Sequence, residues 1–470
     1  MTTLADQHSR ILFLKEAFQD DDPPPDAEVL GSASLKKCDG LPLALVTTAR
    51  FFQSMGNPTP MKWAKLCADL GTHLESDELF ARMRRVPVQS YTSLDSQVDR
   101  TFLSYLSTYP SGRPVRKSTL IRKWLAEGFS PGNITSSALD AATSCFDKLV
   151  DRSIIQHIDA SGNSTKVNTY HTHGMMLEFV IRKSMSDNFV TLLCDQPSAP
   201  PLPSKIRQLS LHHARPTGVN DLSFVRSLTV SGQTHPSILD FRNYERMRVL
   251  DLGEFDHHLG DSDLKLVCSY LLLLRYLSLG AAVTVLPKNI KKLQFLETLD
   301  VRTNIEILPT QVMELPFLLH LFGKFKMKQD VGARRMSKLQ AWLSANSKLE
   351  TVAGFVVDSN KSQGFAQLIE HMKHLTKVKI CGEGSQDLLN FTLENDKSFY
   401  VRSLKLQGSN IFSLPPFVTM LVGLNKLPLS FPHQLTSDII AALSGMCSLK
   451  QLKLTATQLD KHIIEKGAFT

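Results

Sequence analysis

Two histidines two residues apart, His171 and His173 in the stretch YHTHGMMLEF (170–179), are the side chains of this 470-residue chain best spaced to do chemistry together. An imidazole can ligate a metal, move a proton, or donate a hydrogen bond to an anion. At a strand end, positions i and i+2 share one face, so both rings can serve one site. Two histidines alone make an incomplete zinc site, which needs a third ligand and an open position. No H-E-x-x-H pattern accompanies them, and Glu178 by itself does not supply one. The chain also lacks a G-x-S-x-G elbow, an isolated Cys–His signature and a G-x-x-x-x-G-K-[ST] phosphate loop. Metal binding and catalysis are therefore not expected, and the residues alone read as two partly exposed histidines.

A chain this long exceeds one ordinary core, so two or three domains should position these residues. Lys and Arg number 53 against 45 Asp and Glu, a net charge of +8 that favours acidic partners without identifying one. Seven cysteines, scattered and never in a C-x-x-C pair, suit reduced thiols and a cytoplasmic location better than a disulfide framework. The opening MTTLADQHSRILFLKEAF reads as an amphipathic helix and not as a leader. The richest apolar run, SYLLLLRYLSL, is short and interrupted by Arg275, so no membrane span is expected.

The proline-rich segment 194–205, CDQPSAPPLPSK, reads as a linker at which the pattern changes. Before it, SSALDAATSCFDKLVDR places Leu139, Ala142, Phe146, Leu149 and Val150 on one helical face. SIIQHI and KVNTYH then alternate as strands around the turn 159–163, and GMMLEFVIRKS returns to helix, a winged-helix-like order. The helix ends are not strongly basic, which argues against nucleic-acid reading. After the linker, an L-x-x-L-x-L pattern starts at Ile206, Val225, Met247, Leu274, Leu296, Leu318, Leu349, Leu375, Val401, Leu424 and Leu449. The clearest copies, LRYLSL (274–279) and LETLDV (296–301), stand 22 residues apart, as do LPKNIKKL (286–293) and LPTQVMEL (308–315). Such periods predict leucine-rich-repeat coils, each a short strand with a loose return, that bury their leucines by stacking. The copies at 318 and 349 are degraded.

Upstream, LKKCDGLPLALVTTARFF (35–52) reads as a helix end, a tight Gly40–Leu41–Pro42 turn and an apolar helix. TFLSYLSTYPSGRPVRKSTLIRKWLAEGF (101–129) reads as two helices around a Pro/Gly loop. The ordered series KKCDGLPLAL, LIRKWLAEGF, YHTHGMMLEF and leucine-rich repeats resembles plant nucleotide-binding (NB-ARC) leucine-rich-repeat disease resistance proteins of the grass type. The first stretch is similar to their G-L-P-L motif and the second to their L-I-R-x-W-x-A-E-G-F motif. The third falls where they carry a Met- or Val-His-Asp triplet. The resemblance implies an α+β multidomain chain. A partial NB-ARC helical subdomain would span 1–90, a winged-helix-like subdomain 91–193, the linker 194–205, and an α/β leucine-rich-repeat solenoid 206–470. It further implies that His173 reaches the β-phosphate of ADP, that Pro42 packs beside the adenine, and that the protein serves in plant innate immunity. The family's phosphate loop and metal-binding aspartates lie upstream of the position matched by Met1, and Gly174 replaces the triplet aspartate. The expectation is therefore a chain that starts midway through the module and binds ADP or ATP weakly or not at all.

The repeats carry a second pattern. The first variable position reads Arg207, Arg226, Arg248 and Arg275 in four successive coils, then Glu297. With the leucines inward, the intervening positions should face the concave surface or its edge, and with strands ~4.8 Å apart these arginines should form a column. The expectation is an intramolecular contact of this column with the nucleotide-binding module. A later basic set, Lys377, Lys379, Arg402, Lys405, Lys450 and Lys453, lies on repeats open to a pathogen effector or a host guardee protein. The competing reading is a free-standing leucine-rich-repeat adaptor, but the G-L-P-L region does not look like the F-box-like helices such an adaptor would carry.

Overall fold

A computed structural model describes residues 3–18, 35–55, 69–110, 113–129, 137–158, 169–194, 205–214, 221–256, 259–280, 283, 285–327, 333–357, 368–382, 401–408, 414–431 and 437–456. The turn expected at 159–163 lies outside them. The chain divides into two compact units, Met1–Thr229 and Val230–Thr470.

The first unit is built on two helical cores. One gathers helices α1 (Asp6–Phe18) and α2 (Pro42–Ser54) with residues 69–76, burying Phe13, Ala44, Leu45, Phe52, Leu70, Leu74 and Phe80. The second gathers α3 (Ala81–Thr92), α4 (Gln97–Tyr105), α5 (Lys117–Glu127) and α6 (Ala138–Asp151). In α6, Ala142, Phe146 and Leu149 are buried as their spacing requires, joined by Cys145. Leu139 departs from that face: it lies in the first turn of the helix and is 50% exposed. The LIRKWLAEGF stretch is core, with Trp124 fully buried and stacked 4.4 Å from Phe102. Lys123 is also buried, its ammonium 4.5 Å from the Tyr109 ring centre, a cation–π contact that offsets its desolvation.

The wing is an antiparallel sheet of β1 (Val115–Arg116), β2 (Ile155–His157) and β3 (Thr169–Thr172), with β3 in the middle. Helix α7 (Gly174–Ser186) follows β3 directly. It joins the two cores: Met175 packs into the first, while Met176, Leu177 and Val180 pack into the second. That double duty explains the nearly unbroken apolar run GMMLEFVI.

A strand that no sequence pattern suggested, β4 (Thr191–Cys194), pairs in parallel with β5 (Gln208–His212). The boundary between units falls inside β6 (Ser227–Gly232). In the second unit β7 (Val249–Phe255), β8 (Tyr276–Ser278), β9 (Thr298–Leu308), β10 (His320–Met327), β11 (Thr351–Val357), β12 (Lys377–Gly382), β13 (Ser403–Gly408), β14 (Lys426–Phe431) and β15 (Gln451–Ala456) pair in chain order, all parallel. Each strand begins two residues after one of the leucine-motif starts, including those at 318 and 349. The starting residues from Ile206 to Leu424 are all buried, and Leu449 is half-buried. Each such side chain contributes roughly 1.5–3 kcal/mol by leaving water, which is why the coils stand only as a stack.

The two degraded copies have a geometric cause. Their register shifts between Phe322 and Phe325 on β10, and between Ala353 and Phe355 on β11, so each strand carries an extra residue. Glycine stands at both shifts, and at Gly354 (φ +110°) an added Cβ would lie 1.3 Å from the Gly323 carbonyl oxygen. Gly354→Ala should therefore cost about 3 kcal/mol or more, read as a lowered chemical-denaturation midpoint.

Candidate functional site

The histidine pair sits where the two helical cores of the first unit meet. His173 caps α7, its Nδ1 accepting from the Met175 N–H at 3.3 Å. The preceding strand end directs His171 toward the turn between 35–38 and α2, where its Nε2 lies 3.5 Å from Asp39 Oδ2. The same carboxylate oxygen accepts from the Gly174 N–H at 3.3 Å. Asp39 and Gly40 both adopt positive φ, +49° and +68°, which turns the chain sharply enough to aim this carboxylate at the helix start. Beside them Lys37 Nζ pairs with the buried Glu178 carboxylate at 3.0 Å. Burial pushes the Asp39 carboxyl up, but the hydrogen bond with His171, the charges of His173 and His171, and the Gly174 N–H together outweigh it and leave the pKa lowered. Burial pulls the His173 pKa down, opposed by Asp39 and reinforced by His171.

Pro42 is exposed at the first position of α2, where its missing N–H costs nothing. His173 and Pro42 thus stand on the two sides of the turn, but the space at the α7 start is taken. A phosphate bound there needs free N–H groups. The Gly174 and Met175 N–H groups are already paired, and a Cβ at Gly174 would lie 2.1 Å from the Lys37 carbonyl oxygen. An incoming phosphate would meet a carboxylate and a carbonyl oxygen. The residues present at this helix start do not fit the β-phosphate of ADP. Sequence reading missed Lys37 and Asp39, although an acid within the CDG turn and an absent acid at 174 together were the available signal. Among the described residues no group of three or more His, Cys, Asp and Glu could hold a metal ion.

A second arrangement lies on the strand face opposite the leucine core. In the first unit, Ser210 Oγ donates to the Thr108 carbonyl at 2.8 Å, His212 Nε2 lies 3.3 Å from the same oxygen, and Tyr105 OH lies 3.2 Å from Ser227 Oγ. Within this unit the first coils therefore meet the end of α4 through polar side chains. Arg207 is exposed and Arg226 half-buried, and among the described residues neither forms an ion pair. Two neighbouring pairs of the set adjoin through the backbone: Arg226 N–H donates to the Arg207 carbonyl at 2.7 Å, and Arg275 N–H to the Arg248 carbonyl at 2.8 Å. Arg275 Nη1 pairs with Glu297 Oε1 at 3.3 Å, so the acid that ends the column neutralises its last member. In the early coils several of these intervening positions are covered, with Ser227, Thr229, Tyr276, Ser278, Thr298 and Asp300 buried.

In the later coils the corresponding positions are more exposed. Thr351, Lys377, Ser403, Lys426 and Gln451 lie in register, as do Lys379 with Lys405 and Pro428 with Lys453. Arg402 and Lys450 occupy the position just before their strands. Lys377, Arg402, Lys426 and Lys450 are exposed, and Lys379, Lys405 and Lys453 half-buried. Strands β12 to β15 contain no Asp or Glu. No helix among the described residues is long and apolar enough to cross a membrane.

A winged helix joined to stacked parallel coils defines a leucine-rich-repeat protein, and the comparisons agree. Residues 108–180 match the family described as disease resistance protein winged helix domain, and residues 224–470, more than half of the chain, match that of the leucine-rich repeat region. The chain belongs to the leucine-rich-repeat family, in the form carried by grass NB-ARC disease resistance proteins. Disease resistance protein RGA4 of Oryza sativa subsp. japonica is 42% identical over 93% of this chain and 46% of its own length. Disease resistance protein Pik-2 of the same organism is 27% identical, over 92% of this chain and 48% of its own. The chain spans about half the length of these curated relatives.

The buried polar contact of the first coils is sensitive to acid. Burial pulls the His212 pKa down to about 4, against the Thr108 carbonyl that favours the proton, while Arg113 and His213 lower it further. An unfolded histidine titrates near 6.5. The stabilisation from neutral His212 is thus fully present above about pH 6.5 and is lost as pH falls toward 4. The urea midpoint should be flat from pH 8 to 7 and decline below 6.5. His212→Asn should make that decline shallower, leaving the smaller contribution of His173, which has the same sign.

Proposed function

We propose that this chain acts in plant innate immunity by recognising a protein partner, a pathogen effector or a guarded host protein, on the basic strand face of its later repeats. The single observation that carries this reading is the cluster of Lys377, Lys379, Arg402, Lys405, Lys426, Lys450 and Lys453 on strands without a carboxylate. Surface cations are usually interspersed with acids, whereas a one-signed face steers and selects an oppositely charged partner. Its outward strand positions hold no aromatic side chain on which bases could stack, which favours an acidic protein surface over single-stranded nucleic acid.

The chain works without chemistry of its own, in the cytoplasm, by contact and by regulation within the molecule. Binding of ADP or ATP through Pro42 and His173 is weak or absent, a reading supported by the Asp39 carboxylate and Lys37 carbonyl that crowd the α7 start. The subdomain limits 1–90, 91–193 and 206–470 serve as the working division for such experiments. Isothermal calorimetry of the purified chain with ADP should give no saturable low-micromolar heat.

Partner recognition is tested by co-expressing the chain with candidate effectors in grass protoplasts, scoring cell death and co-precipitation. The triple reversal Lys379→Glu, Lys405→Glu and Lys453→Glu should abolish capture, and capture by the unaltered chain should weaken as salt rises. Capture that survives both the reversal and 0.5 M salt, roughly three times physiological ionic strength, would remove the face from the proposal.

A further inference from the structure

We propose that Asp39 is a built-in anion that closes the 35–42 turn onto α7, occupying the helix start that a phosphate would otherwise need. The observation begins with the geometry of Gly174. Any Cβ there would meet the Lys37 carbonyl oxygen at 2.1 Å and the Lys36 carbonyl oxygen at 3.2 Å. The carbonyl end of 35–38 is therefore pressed against the amino end of α7. The partial charges of these two ends are opposite, so the approach is favourable, but only a residue without a side chain permits it.

The carboxylate of Asp39 adds a full negative charge at the same point. It accepts from the Gly174 N–H and faces His171, across 135 residues of chain in the first case. A non-glycine residue at φ +49° is uncommon, and it persists here because contacts on both sides of the turn over-determine it. On the other side, the Gly40 carbonyl accepts from the Leu4 N–H at 2.8 Å, tying the turn to the segment that leads into α1. The Lys37–Glu178 ion pair lies one helical turn further along α7 and is largely buried. Gly71 makes a second close approach, where a Cβ would meet Arg182 Cγ at 2.4 Å and the Glu178 carbonyl oxygen at 3.3 Å. The clasp thus consists of one backbone-to-backbone contact, one capping carboxylate and one buried ion pair, all between the first helical core and α7.

In this arrangement the glycine at 174 and the acid at 39 act together. A helix start needs an acceptor for its first N–H groups. Here the acceptor comes from another part of the chain, and removing the local side chain is what lets that part come close. The consequence runs against the family pattern: placing aspartate at 174 opens the clasp instead of strengthening the cap.

Hydrogen exchange on the full chain tests this. Asp39→Asn preserves shape and removes the charge. It should raise exchange roughly fivefold or more in peptides covering 36–41 and 171–177, with peptides around Trp124 unchanged as a control for folding. His173 should titrate at lower pH in this variant, a change that loss of packing alone would not produce. Gly174→Asp should raise exchange in the same two segments by more than Asp39→Asn does, while Asp39→Glu should restore part of the protection. The proposal is overturned if Asp39→Asn leaves both segments at wild-type exchange. It is equally overturned if millimolar ADP or inorganic phosphate protects 171–177 in the unaltered chain, because the seat would then be open.

Discussion

Everything in the first unit depends on the amino end of α7 having a negative partner. The helix starts directly after a strand, at a buried Gly174, and its first N–H groups need acceptors. It also carries residues that pack into both helical cores, with Met175 on one side and Met176, Leu177 and Val180 on the other. A loose start would therefore shift the packing of both cores together. The Asp39 carboxylate, the Lys37 carbonyl and the His173 ring each supply part of what that helix end requires.

The second unit answers a different constraint. Each coil hides its leucines only when its neighbour is present, so the inward positions are fixed by packing and repeat faithfully. The opposite face has no such obligation, and its chemistry changes along the stack. Early strands bury Tyr276, Ser278, Thr298 and Asp300, and late strands expose Lys377 and Lys426. The bulges of β10 and β11 lie between these two regimes, at Gly323 and Gly354. One scaffold thereby offers two surfaces of different polarity without any change in its core.

The coils were readable because their period is set by that core. Even the weak copies at Leu318 and Leu349 mark strands, since the register shifts come after the first buried positions of each strand. Helix α6 was readable for the same reason, apart from Leu139, which lies in the first turn beyond the reach of the core. What escaped was whatever depended on long-range proximity. Strand β4 pairs with a partner across the proline-rich segment, and β1 is two residues long. Within the first unit the contact between the first coils and the helical part is made by Ser210, His212 and Ser227, which no sequence pattern marked. Small polar residues give no periodic signal, because a hydroxyl that caps a carbonyl at 2.8 Å looks in sequence like any surface serine.

The histidine pair shows the same limit at the level of chemistry. Spacing alone gave two rings on one face and left metal, proton transfer and anion binding as options. The third member of the cluster, Asp39, lies more than 130 residues away in sequence, so no local motif could include it. Its position also changes how a degenerate motif should be read. A missing aspartate at 174 suggests a weakened helix start when the stretch is considered alone. Beside the Lys37 carbonyl it is the condition for a tighter one, because Asp39 supplies an acid there from another part of the chain. Whether a departure from a family pattern weakens a contact depends on what fills the vacated volume. Here the filling groups carry the same sign of charge as the ligand the pattern implies, which stabilises the closed arrangement and opposes that ligand by one and the same electrostatic term.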